Sequence, residues 1–327
     1  MPKEIYHWYL ARKMKDALVS QKTACPVKNA VLAYPGLFYL GSVFPDNAFY
    51  YTQGPAKQDF QKAALGFHGK TQVHPLNFAK KTIDSRTSKT DAFLSFVSGF
   101  CSHISSDTVY HPFIFYFTGF PDKEKTWEAR HRAFESFLDL YILKSGFTPE
   151  FGKTVHSLLS SLSVSEEALL DILQQCYENR ISRDQIRYCL KKHGNYQKLF
   201  FYFPVRVFVS IAAVLGVSGM KVNKESFYPL LPGKAEQFFR QQFTYKHPVT
   251  GDEYEHTLGE LTDQAVSRFL TAAAQLGSYW TGHTETKFIP ELDRSLDTGL
   301  HRSAKQEMTY SNPIDVYSSM KSGSIQS

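Results

Sequence analysis

Apolar residues recur at helical intervals over residues 4–21, 91–106, 127–143, 165–177 and 184–192, and each run predicts an amphipathic helix. Ser163 and Ser165 ahead of Glu166 and Glu167 supply a start signal for the fourth of these, since a serine hydroxyl can accept from the first free backbone N–H groups. Farther on, 239–245 and 258–276 read as helices separated by the turn-rich segment 246–252, Lys-His-Pro-Val-Thr-Gly-Asp. Strand signal is confined to short aromatic runs. The pattern therefore predicts an all-α chain with a single multi-helix domain over residues 1–300. From about Arg302 the composition shifts to Ser, Lys, Gln, Asn and Pro, so 301–327 reads as a polar tail whose last part, 318–327, is expected to be disordered.

The longest apolar stretch, Val207 to Met220, runs for 14 residues. It falls short of the ~20 needed to span a bilayer, so a buried helix is the first reading and a membrane-touching helix the second. At 327 residues the chain can bury a large core, and 43% hydrophobic with 21% charged residues is ordinary for a globular protein. A net charge of +6 mildly favours anionic surfaces, whether lipid headgroups or nucleic acid. No basic run is long enough for a nucleic-acid arm; Lys13-Met-Lys15 and Lys191-Lys192 read as solvated helix faces, so there is no strong nucleic-acid signal. Cys25, Cys101, Cys176 and Cys189 lack Cys-x-x-Cys spacing and the density of a disulfide scaffold, which predicts free thiols. With no secretory signal in the N-terminal residues, a cytoplasmic location is expected.

Chemistry enters at His103, Asp107 and His111, three residues at successive offsets of four, followed by His131 and Glu135 at the same offset. On a helix that offset turns a side chain by only ~40° and raises it by ~6 Å, so each group projects from one face. Imidazole and carboxylate are ligands that zinc accepts, although the triplet alone is equally compatible with a hydrogen-bonded helix face. Three further candidates stand in apolar or glycine-flanked settings: His7 in Ile-Tyr-His-Trp-Tyr-Leu, Asp46 in Val-Phe-Pro-Asp, and His68 in Gly-Phe-His-Gly. Singly, each also reads as an ordinary helix or turn residue. Together, five histidines and three carboxylates suffice for two or three ions.

The ordered set of His7, Leu40-Gly-Ser-Val-Phe-Pro-Asp46, Gly66-Phe-His-Gly69, the His103/Asp107/His111 block ending in His-Pro, and His131/Glu135 resembles the zinc-dependent phospholipase C family. That superfamily also takes in the N-terminal domain of glycosylphosphatidylinositol phospholipase D and, more distantly, zinc nucleases that prefer single strands. The resemblance covers about residues 5–140 and implies an all-α fold with Zn2+ bound as two or three ions. It implies one site from His68, His103 and a bridging Asp107, a second from His111, His131 and Glu135, and a third from His7 with Asp107. Asp46 would be a ligand or the catalytic base. The secreted phospholipases complete the third site with a processed N-terminal tryptophan, which has no counterpart here; Trp8, beside His7, has to point elsewhere on a helix.

The implied activity is hydrolysis of a phosphodiester by a zinc-activated water, foremost phospholipase C-type cleavage of a phospholipid, with peripheral membrane contact. The alternatives are a nuclease or soluble phosphodiesterase on the same site, or a non-catalytic metal-stabilised lipid-binding module. The aromatic segments Phe49-Tyr-Tyr51 and 113–120 could face a lipid, but core packing is the expected fate of most of those rings. His247, His256 and His283 read as surface or structural residues.

Overall fold

The computed structural model describes residues 4–325 apart from 24, 72, 86–88, 121–125, 218–223, 225–226, 232, 284–286 and 305. In chain order the helices are α1 (Glu4–Ser20), α2 (Pro26–Ala33), α3 (Pro35–Gly41), α4 (Phe44–Asn47), α5 (Lys57–Phe67), α6 (Asn77–Ser85), α7 (Asp91–Thr118) and α8 (Trp127–Lys144). They continue with α9 (Val155–Ser160), α10 (Glu166–Cys176), α11 (Arg183–Phe201), α12 (Phe203–Val214), α13 (Ala235–Phe239), α14 (Leu258–Trp280) and α15 (Val316–Ser322). One antiparallel hairpin, β1 (Phe243–Lys246) with β2 (Glu253–His256), is the only sheet among the described residues. The fold is thus all-α, as the periodicity predicts.

The axis of the molecule is α7, 28 residues long and buried on almost every side, so it has no solvent face to pattern. Thr90 caps its start by accepting from the Phe93 N–H. α1, α2, α3, α8 and α14 pack around it. Three of its serines satisfy their buried hydroxyls by bonding back along the helix, Ser98 to Leu94 O at 2.7 Å, Ser102 to Gly99 O at 2.6 Å and Ser106 to Ser102 O at 2.8 Å. The closest helix crossing is built on two glycines. A Cβ on Gly41 of α3 would lie 2.1 Å from Phe96 O, and one on Gly99 of α7 would lie 1.9 Å from Phe38 O. That crossing brings the end of α3 against the part of α7 that carries the histidines.

Several boundaries differ from the sequence reading. α7 runs on to Thr118 rather than stopping near Ser106, because the aromatic run 113–118 is buried inside the bundle and stays helical even through Pro112. The helix predicted over 239–245 ends at Phe239, and Phe243 to Lys246 pair instead with Glu253 to His256; the turn 246–252 joins strands, not helices. Alternate burial along β1, Phe243 and Tyr245 in, Thr244 and Lys246 out, has the period of a strand. Part of the segment expected to be disordered is helical, since α15 spans Val316–Ser322. Asn312 and Ile314 donate to the Tyr116 and Phe117 carbonyls at 2.8 and 2.9 Å, and α15 packs on α8 with Met320 buried. Residues 326–327 of the expected disordered segment lie outside the described residues. The apolar stretch from Val207 is helical to Val214, but it is not the buried helix first expected: its large side chains face outward. Its last residues, 218–220, lie outside the described residues.

Candidate metal centre

Five elements converge at the middle of α7. The helix contributes His103, Asp107 and His111 as a column on one face, α1 brings His7, and α8 brings His131 and Glu135. Asp46 lies in the first turn of α4, and His68 caps the end of α5. All eight side chains are buried. α1 is held in place by Asp139 of α8, whose Oδ1 accepts the Tyr6 N–H at 2.8 Å, and by Trp8, whose indole N–H donates to Tyr39 O at 3.2 Å. Trp8 therefore points away from the site while its neighbour His7 points in.

The donor atoms fall into three sets, each with its atoms within 4.8 Å of one another: His7, His103 and Asp107; Asp46, His68 and His103; His111, His131 and Glu135. Asp107 sits at the junction. Its carboxylate oxygens lie 3.4 Å from His7 Nε2, 3.1 Å from His103 Nε2 and 3.8 Å from His111 Nε2. Asp46 Oδ1 lies 3.1 Å from His68 Nε2, and Glu135 Oε1 2.9 Å from His131 Nε2. The grouping differs from the implied one at His68, which meets Asp46 and His103 rather than Asp107. The cause is local: His68 Nδ1 donates to Ala64 O at 2.8 Å, which turns Nε2 toward α4.

Backbone carbonyls orient the rings. Nδ1 of His68, His103 and His111 donates to Ala64 O, Ser42 O and Leu296 O at 2.8, 3.0 and 3.1 Å, so each presents Nε2 to the centre. Leu296 was missed by sequence reasoning. It belongs to a segment that follows a 3-10 turn at Pro290–Leu292, and its own N–H donates to His68 O at 3.4 Å, so one residue steadies two histidines. A backbone carbonyl has no residue-type signature, but two glycines mark the segment's fit. A Cβ on Gly69 (φ +66) would lie 2.5 Å from Arg294 O, and one on Gly299 (φ +66) would lie 2.2 Å from Thr108 O. His193 was also missed. Its Nε2 lies 2.6 Å from Glu4 Oε1 and its ring stacks on Tyr50 at 4.0 Å, tying α11 to α1 beside the site.

Protons are unevenly distributed among the rings. Burial, with His103 nearby, pushes His7 down to about 4. Burial also opposes a charge on His103, but Asp107 and Asp46 outweigh it and raise His103 to about 9. Burial lowers His111. For Glu135, burial is outweighed by His131, and its carboxyl falls to about 2; Asp107, against burial, is held well below the usual range by His103 and His111.

The residues fit a divalent metal. His7 Nδ1, His103 Nε2, Asp107 Oδ2, His111 Nε2, His131 Nδ1 and Glu135 Oε2 are buried with no hydrogen-bond partner. Buried polar atoms are nearly always satisfied, and six orphans in one centre are costly unless an ion meets them. His103 Nε2 and Asp107 Oδ2 approach at ion-pair distance without hydrogen-bond geometry, as two ligands of one ion would. A cavity of about 20 Å³ lined by His7, Asp107, His111 and Glu135 has room for a single ion or water. His247, His256 and His283 belong to none of the three sets; His247 bonds Thr298 O at 2.8 Å and His256 pairs with Gln264. The four cysteines are free thiols.

No curated protein and no solved structure matches the chain. A family model for zinc-dependent phospholipase C matches residues 6–199, a span that holds all eight donors and extends well past the segment that the motifs mark. On that match, covering more than half of its length, the chain belongs to the zinc-dependent phospholipase C family.

Proposed function

We propose that the protein is a metal-dependent phosphodiester hydrolase that cleaves a phospholipid in the manner of a phospholipase C. The observation that carries this reading is the set of six orphaned, buried donor atoms within a chain of this family. Zinc bound to such nitrogen and oxygen donors supplies Lewis acidity to phosphate oxygens and brings the pKa of water close to neutrality. The three donor sets support two or three ions; His103 belongs to two of the sets, and Asp107 reaches a histidine of each.

The residues' own roles follow from their positions. His68, His103 and His111 each have one nitrogen committed to a backbone carbonyl, so only Nε2 is available, and little reorganisation is needed on binding. Asp107 touches three histidines and holds the sets in register. Asp46, bonded to His68 alone of these, is the carboxylate best placed to accept a proton from the attacking water, or to act as a ligand. Leu10 of α1, Ile114 of α7 and Leu138 of α8 give the cavity beside the donors an apolar wall.

The test is elemental analysis of protein purified without a metal-affinity tag, then hydrolysis assays on phosphatidylcholine, a glycosylated inositol lipid, a single-stranded oligonucleotide and a soluble diester. Two or three zinc equivalents with preferential release of diacylglycerol are expected. Zinc with nucleotide release alone would replace the phospholipase by a nuclease, and no retained metal would defeat the reading. Asp46→Asn should keep most of the metal while turnover falls by about 10²–10⁴-fold; a variant of normal rate would remove Asp46 from the mechanism.

A further inference from the structure

α12 is built inside out. Over its 12 residues the inward side is small, with Val209, Ala212 and Ala213 buried, while the outward side carries Phe203, Phe208, Ile211 and Val214, continued by Leu215. At 100° per residue those five side chains occupy an arc of about 140° with no polar member. Phe208 is 65% exposed, Val214 86% and Leu215 75%. Arg206, on the other side, donates to the carbonyls of Tyr228 and Pro229, so the helix is tied to the rest of the chain away from its apolar face. A contiguous apolar surface of this kind marks a partner that is itself apolar.

Charge identifies the partner's chemistry. Between Asp184 and Glu225 the chain has no carboxylate and seven Lys or Arg residues, more than its whole net charge of +6. Arg187 is paired with Glu166 and Asp184; Lys191, Lys192, Lys198, Arg206 and Lys224 lie within or close to the apolar helix in sequence. Tyr202 is exposed at the bend where α11 meets α12, in the position of an interfacial aromatic residue. Together α11 and α12 have the length and composition of a membrane span, but they are bent by 71°, and no single described helix is long and apolar enough to cross. A helix ~18 Å long with an apolar arc and a basic surround is suited to lie in the plane of a membrane rather than through it.

We infer that the outward face of α12 forms a docking surface for an anionic phospholipid bilayer, with its apolar side chains in the acyl boundary and the lysines at the headgroups. The surface lies outside the residues matched by the family model, and α11 links it to the centre through His193. The inference gains its sense from the phospholipase reading but stands on its own geometry.

The experiment is co-sedimentation of the zinc-loaded full chain with phosphatidylcholine vesicles, with and without phosphatidylserine. Stronger binding to the serine-containing vesicles is expected. F208S/V214S/L215S should reduce binding at least about tenfold, with turnover of a soluble short-chain diester unchanged. Val214→Trp should bind as wild type, with indole emission that shifts to the blue only when vesicles are present. Wild-type protein that ignores both vesicles, or a triple variant that still binds them, overturns the inference. So does a wild-type dimer, seen by light scattering, that the triple variant converts to monomer without loss of vesicle binding. Protein that binds vesicles but hydrolyses nothing keeps the docking surface and defeats the hydrolase; protein that cleaves the soluble diester and ignores vesicles does the reverse.

Discussion

α7 and α12 depart from the ordinary rule of apolar inside and polar outside in opposite directions. α7 draws two imidazoles and a carboxylate into the centre of the bundle; α12 sets two phenylalanines and three aliphatic side chains in solvent. Each departure is unfavourable for the isolated chain, the first through desolvated and orphaned polar atoms, the second through hydrated apolar area. What differs is the missing counterpart. The orphans of α7 converge on points a few ångströms apart, which suits ions, whereas the side chains of α12 spread over a helix face, which suits an extended surface. Breaks in the folding rule thus carry information about what each region is built to meet.

The largest effect should follow from Asp107→Ala, which takes away the group shared by His7, His103 and His111. Metal content should fall by at least one equivalent and hydrolysis should drop to background. The metal-free variant should also lose about 3 kcal/mol of stability, because a charged His103 is left buried without its main partner. Full metal retention with normal turnover would reduce the α7 column to a hydrogen-bonded helix face and end the comparison.

A smaller loss is expected at a residue that touches no donor atom. Gly69→Ala sets a Cβ against Arg294 O at a position with φ +66, so the 294–299 segment has to move and the Leu296 contacts to His68 and His111 loosen. Zinc affinity, measured by competition with a chromogenic chelator, should weaken by about 10–100-fold, the range typical for loss of groups that orient ligands. Unchanged affinity would show that these two rings are held by other contacts.

How far the sequence was legible follows the same division. His103, Asp107 and His111 are visible because an offset of four is written into helical geometry, and the flanking pairs are visible because the helices around them are periodic. The hairpin was missed because Phe243 and Tyr245 alternate over only four residues, too few to separate from a helix end. Leu296 was invisible because its function resides in the backbone. α12 was misread for a physical reason: periodicity reports that a helix has an apolar face, and a face turned to the core and one turned outward have the same period. Composition held a clue in Ala212 and Ala213, since small residues suit the close-packed side and leave the bulky ones outside.

Protonation sharpens the comparison, because only the α7 centre should respond to pH. His103 is held near 9 by Asp107 and Asp46 against burial, so without metal it is protonated at pH 7.5, while His7, near 4, is neutral. Metal uptake then has to release the His103 proton. Calorimetry in buffers of different ionisation enthalpy should find about one proton released per chain at pH 7.5 and almost none above about pH 10. The stability of the metal-free protein should move the same way. His103 has a folded pKa above its unfolded value of about 6.5, so its contribution is complete below that pH and is lost as pH rises through about 9. No proton release at neutral pH would mean that His103 is not a ligand.

The smallest effect should come from the region that looks most anomalous. F208S/V214S/L215S removes apolar area that folding never buried, so it should change unfolding free energy by no more than about 1.5 kcal/mol, the range of three ordinary surface substitutions. Chemical denaturation without lipid is the measurement. A loss of several kcal/mol would show that these side chains pack against the chain itself in solution, and α12 would then be a core helix. If stability is unchanged, the two departures are of different kinds: the polar column in α7 is coupled to the fold through its neighbours, and the apolar face of α12 is not, because Val209, Ala212, Ala213 and the Arg206 bonds hold the helix from its other side.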